Sequence, residues 1–224
     1  MKTALLALLV ATLPTPFQEL PNAFPRAGAT KLIDNERVTV WDVSVEKTKA
    51  TPMHRHALDF LVVDLADASV KVTAQNGRSS VNAVKKGQVS FNQKGNAEVQ
   101  EGVSDAPRHS IIVELKDVKV SPLPNKSGYP DAFPREGSKK VFDNPRVVVW
   151  DFSWTPGKAT AMHFHDKDVV VVYLDNGDLS STTLDGKTTV NSYVLGQAKF
   201  NPRDRTHSEL LSKGSQRVIA IELK

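Results

Sequence analysis

The chain has 224 residues, with 29 Lys and Arg against 25 Asp and Glu, six His, no Cys and 40% apolar residues. A net charge of +4 with interleaved basic residues offers no stripe to neutralise a nucleic-acid backbone, and the near-average composition excludes disordered and collagen-like classes. Without Cys there are no disulfides, thiolate metal sites or cysteine nucleophiles, which leaves imidazoles and carboxylates for metal or acid–base chemistry.

Met1 and Lys2 give the chain a positive start, Thr3 to Leu13 is apolar, and Pro14 and Pro16 end the run. That run is shorter than the roughly 20 residues of a membrane-spanning helix. It matches the core of a cleaved secretory leader, placed at residues 1–16, so a secreted or periplasmic protein with no membrane span is expected.

A repeat follows. Pro21, Ala23, Phe24, Pro25 and Arg26 recur at Pro130, Ala132, Phe133, Pro134 and Arg135, a shift of 109 residues. The same shift carries Asp34-Asn35 to Asp143-Asn144, Arg37 to Arg146, Trp41-Asp42 to Trp150-Asp151, and Gly87-Gln88 to Gly196-Gln197. Near the end it falls to 108, where Glu114-Leu115-Lys116 matches Glu222-Leu223-Lys224. Two copies of one unit are therefore expected: a first domain at 17–120, a linker at 121–129 holding Pro122, Pro124 and Gly128, and a second domain at 130–224.

Each copy reads as all-β. Val38 to Val45 and Val147 to Trp154 are rich in β-branched and aromatic residues, and Leu61 to Val63 and Val169 to Tyr173 are short apolar runs. Asn76-Gly77 and Asp185-Gly186 suit tight hairpin turns. Short strands punctuated by turns predict a sandwich or closed barrel in each copy. Trp41 and Trp150 are expected to anchor the packing of that barrel, and the repeated A-F-P-R arm to cover a strand edge.

His163 and His165 stand two apart in a predicted strand, so their side chains leave on one face and can hold one ion. Gly157, five residues, then His163-x-His165, with Gly177 downstream, resembles the first motif of the cupin superfamily, G-x5-H-x-H-x3,4-E-x6-G. Gly196, five residues, Pro202, and then Arg203 to His207 resembles the second motif, G-x5-P-x-G-x2-H, with Asp204 in the second Gly position. The resemblance spans both copies. It implies two tandem double-stranded β-helix (jelly-roll) barrels, and His207 as the third metal ligand beside His163 and His165.

One ligand departs from that pattern. The motif-one Glu position falls on Val170 or Val169, and the lost carboxylate weakens an oxalate-type decarboxylation. Asp168, matched by Asp59, is the nearest carboxylate and is expected to orient a His from behind. In the first copy His54 and His56 remain, Thr48 stands where Gly157 does, Leu61 fills the Glu position, and Glu98 lies where the third His would be. His54, His56 and Glu98 form a weaker ligand set. His109 and its counterpart Arg217 share strand faces with Ile111 and Ile219, so they reach a ligand if that face lines the barrel and solvent otherwise.

The resemblance implies a divalent transition metal, Fe, Mn, Zn, Ni or Cu, with an open position for a small molecule. The expected function is a secreted bicupin metalloenzyme, dioxygenase-like or an isomerase or lyase. The alternative is a non-catalytic module for a small molecule or sugar. A monomer with internal pseudo-dimer pairing, or a homodimer, is expected.

Overall fold

The computed structural model describes residues 19–224, and the expected leader at 1–16 lies outside them. The described residues form 18 strands and no helix, so no helix among them is long and apolar enough to cross a membrane.

The first repeat comprises β1 (Ala29–Asp34), β2 (Val38–Val45), β3 (His54–Arg55), β4 (Asp59–Asp64), β5 (Ala68–Ala74), β6 (Ser79–Val84), β7 (Val89–Asn92), β8 (Ala97–Gly102) and β9 (Arg108–Leu115). The second repeats this order as β10 (Ser138–Asp143), β11 (Val147–Ser153), β12 (His163–His165), β13 (Val169–Tyr173), β14 (Gly177–Thr183), β15 (Thr188–Tyr193), β16 (Ala198–Asn201), β17 (Arg205–Gly214) and β18 (Arg217–Leu223). Each repeat closes a five-stranded sheet, β1-β2-β9-β4-β7 or β10-β11-β18-β13-β16, against a four-stranded one, β3-β8-β5-β6 or β12-β17-β14-β15. The result is two jelly-roll barrels.

Alternation on β2 sorts the core. Trp41, Val43 and Val45 point into the first barrel, while Val38 and Val40 point outward to meet Leu61, Ile111 and Val113. These outward residues form a single cluster with Val147, Val149, Val170, Ile219 and Ile221 of the second repeat, all fully buried. The two five-stranded sheets therefore pack back to back, and both faces of each are apolar. That is why β4 and β13 read as unbroken apolar runs.

The repeated arm pairs in parallel with the strand that carries the histidines, through Asn22 beside Arg55 and Asp131 beside Phe164, so it covers that edge as expected. It also seats an aromatic pair: Phe24 stacks on Trp41 at 4.7 Å and Phe133 on Trp150 at 5.2 Å. Each tryptophan is pinned by its indole N–H, donated to Glu114 at 2.7 Å and to Glu222 at 2.8 Å.

Two left-handed backbone positions fall where the cupin motifs carry glycine. Thr48 (φ 60°) stands opposite Gly157 in the other repeat (φ 72°), and Asp204 (φ 65°) opposite Gly95 (φ 88°). The turns keep their shape in both repeats although one residue of each pair has a side chain.

Candidate metal centre

In the second repeat, β12 supplies His163 and His165, and β17 brings His207 directly opposite His163 in the strand register. One donor nitrogen from each lies within 4.8 Å of the others, and all three side chains are buried. His163 Nδ1 lies 2.8 Å from the Ala161 carbonyl, which fixes the proton on that nitrogen and leaves the Nε2 lone pair for an acceptor role. His165 Nδ1 and His207 Nε2 are buried with no hydrogen-bond partner. Orphaned imidazole nitrogens converging from two strands are what a divalent ion would satisfy, so the donor set fits a metal.

The histidines are held neutral. Burial pushes His163 down to about 4, aided by the Arg135 charge, and burial likewise lowers His165 and His207. Neutral imidazole is the ligating form.

Two residues not expected from the sequence complete the site. Arg135, at the end of the arm, donates through Nη1 to His163 Nε2 at 2.6 Å and through Nη2 to Glu209 at 2.9 Å. Glu209 follows His207 by two on β17 and so shares its face. Burial opposes its charge, but Arg135, His207 and His163 bring its carboxyl below the ordinary value. The repeated A-F-P-R string marked the arginine. Glu209 had no such signal, because its counterpart is Gln100.

The first repeat assembles His54, His56 and Glu98 in the same way, with Glu98 opposite His54 in register. His54 Nδ1 lies 2.8 Å from the Pro52 carbonyl and Arg26 Nη1 3.0 Å from its Nε2. Both Glu98 oxygens are occupied, by amide donors from Asn96 at 2.8 Å and Gln100 at 2.5 Å. The Phe60 ring lies on His56 at 3.8 Å, and burial pushes His56 down to about 3.

The carboxylates expected behind the histidines lie elsewhere. Asp168 accepts from Arg37 of the first repeat at 2.6 Å and from the Arg203 backbone N–H at 2.9 Å. Asp59 accepts from Arg146 of the second repeat at 3.0 Å and from the Lys94 N–H at 2.9 Å. Each ties one repeat to the other, and a backbone carbonyl takes the orienting role instead. His109 and Arg217 are likewise outside the barrels. Their strand faces are the back-to-back ones, where His109 meets Asp42 at 2.7 Å and Arg217 meets Asp151 at 2.7 Å.

An outer cavity of about 330 Å³ opens onto Arg135, His163, Phe152 and Trp154, and an inner one of about 40 Å³ is lined by His165, His207, Glu209, Arg205 and Tyr173. Arg135, Phe152 and Trp154 line both, so the arginine stands between them.

No family model matches the chain. Over 96 residues it is 32% identical to the β-alanine degradation protein BauB of Pseudomonas aeruginosa, covering 43% of this chain and 95% of that protein. The chain belongs to the cupin superfamily. A cupin 2 conserved barrel domain protein from Leptotrichia buccalis superposes with a TM-score of 0.54 at 14% identity, covering 88% of both chains. Oxalate decarboxylase of Bacillus subtilis superposes with a TM-score of 0.61 at 12% identity, covering 93% of this chain and 76% of that one. At such identities the likeness is one of fold. BauB spans a single repeat's length of this cupin, whereas the other two share its two-barrel extent.

Proposed function

We propose that this bicupin is a divalent-metal-dependent enzyme whose second barrel carries the reaction, with the metal on His163, His165 and His207. The observation that carries this reading is the convergence of three buried, neutral imidazoles, two of them with unpartnered nitrogens. A bound divalent ion would supply Lewis-acid polarisation of a substrate oxygen, or a site for oxygen activation, as in dioxygenase, isomerase or lyase chemistry. The chain's own groups set the rest. The outer cavity admits a small molecule past Phe152 and Trp154, and Arg205 and Tyr173 offer polar contacts in the inner one. The apolar walls of Val169, Val171 and Ala220 limit water there. The name of the BauB relative makes β-alanine a sensible first probe.

The first barrel supports the second reading, a binding or structural role without catalysis. Phe60 stacks on the ring of His56, whose two nitrogens are buried without a partner, and Asn96 and Gln100 already satisfy Glu98, the third donor of the set. We also propose a leader-directed secreted or periplasmic location and a monomer whose repeats supply the pairing of a dimer.

The test is metal analysis of purified protein beside the His163→Ala, His207→Ala double variant. The reading expects bound divalent metal in the wild type that the variant loses. Equal, near-zero metal in both would sink it.

A further inference from the structure

We propose that Glu209 is a fourth ligand of the second barrel's metal centre and that Arg135 is the internal cation displaced when the metal binds. The proposal rests on the three-His reading above. The motif-one position offers no carboxylate, because Val170 is buried in the core between the repeats and Val169, which lines the inner cavity, carries no donor atom. A carboxylate nevertheless reaches the histidines from another strand. Glu209 and His207 alternate on β17, and Glu209 Oε1 lies 3.8 Å from His207 Nε2. Two ligands at about 2.1 Å from one ion can lie up to about 4.2 Å apart. The three-His group does not yet include Glu209, whose other oxygen is held by Arg135.

Arg135 does to the site what an ion would do. Its two Nη atoms together occupy the His163 Nε2 lone pair and the Glu209 carboxylate. A guanidinium in that place repels a divalent ion, and the two compete for the same lone pairs. The arginine has somewhere to go, since it also lines the outer cavity beside Glu136 and Asp131. Phe152 beneath its guanidinium, at 4.1 Å, gives it a surface to slide along. The first barrel is a natural contrast. Arg26 caps His54 there, but Gln100 stands in the place of Glu209, and Arg26 Nη2 is buried without a partner. Among the described residues the arm's arginine donates to a carboxylate only in the second barrel, whereas Arg26 feels Glu98 through space alone.

The test is competition titration of the metal-free full chain with cobalt(II), followed by chelator competition and visible absorption. Glu209→Gln is nearly isosteric, copies Gln100 and keeps a carbonyl oxygen to accept from Arg135, so a folded variant is expected, and circular dichroism checks it before the titration. Its cobalt affinity is expected to fall by about tenfold or more, with a changed ligand-field spectrum. Arg135→Met removes the charge that repels the ion and is expected to tighten binding by about tenfold, with Arg135→Lys between it and the wild type. Wild-type cobalt binding with unchanged affinity and spectrum in Glu209→Gln would overturn the ligand role and leave the three-His reading intact. Weaker or equal binding in Arg135→Met would overturn the displacement. No cobalt binding by the wild type would remove the three-His reading and this proposal together.

Discussion

Arg37 and Asp168, 131 residues apart, meet at 2.6 Å across the junction of the two barrels, and Arg146 answers from the second barrel to Asp59 of the first at 3.0 Å. The same arginines reach main-chain carbonyls of the opposite repeat, at Lys224 and at Leu115 and Lys116. The duplication has thus kept a two-fold clasp of the kind a symmetric dimer would use. Both side chains of the Arg37 pair are only 10% exposed. Removing one partner strands a buried charge, so Arg37→Ala should cost about 3 kcal/mol in urea unfolding. Arg146→Ala, with its arginine 28% exposed, should cost clearly less. Equal costs, or none for Arg37, would contradict this account.

Leu61 lies at 0% exposure in the sheet-to-sheet core and touches no lumen. Because that core belongs to both barrels, Leu61→Ala should destabilise the whole chain, by about 2–5 kcal/mol. Calorimetry should show a single transition moved to lower temperature. A melt that splits, with only one half shifted, would mean that the barrels are energetically separate.

The barrels were legible in the sequence because duplication prints every element twice, and the His-x-His spacing fixes a shared face whatever the surroundings. Glu98 was legible for the same reason, by register with His207. Alternation also grouped His109 with Ile111, and Arg217 with Ile219, correctly. What it lacks is the identity of the layer opposite. Both groups face the other barrel rather than a lumen, and Asp59 and Asp168 face arginines that belong to the other repeat. Glu209 was hidden for a different reason: its partner Arg135 lies 74 residues away on an arm, and no counterpart in the first repeat flags it.

Thr48 holds φ 60°, a conformation that costs a β-branched residue far more than glycine. Gly157 shows what the other repeat uses at this place. Thr48→Gly is therefore expected to stabilise the protein by about 1 kcal/mol, the strain outweighing glycine's added chain entropy. Thermal melts of the single variant decide it, and a clear loss of stability would show that the Thr48 side chain contributes more than its backbone costs.

The metal-free protein should weaken on mild acidification. Burial holds His163 at about 4 and His56 at about 3, whereas an unfolded histidine titrates near 6.5. Both pKa values are depressed in the fold, so the unfolded chain takes up protons first as pH falls. The stability contributed by the neutral histidines is complete above about 6.5 and is lost progressively through about 4 and 3, at up to about 1.4 kcal/mol per pH unit for each histidine. Glu114 and Glu222, which burial raises, act in the opposite sense and offset part of the loss. Chelator-treated protein melted at pH 7, 6 and 5 should therefore show a falling midpoint. His56→Leu, which removes one of the titrating groups while keeping the apolar contact with Phe60, should show a shallower fall. A midpoint that is flat across this range, or a variant as steep as the wild type, would mean that the buried histidines do not set the acid limit of the fold.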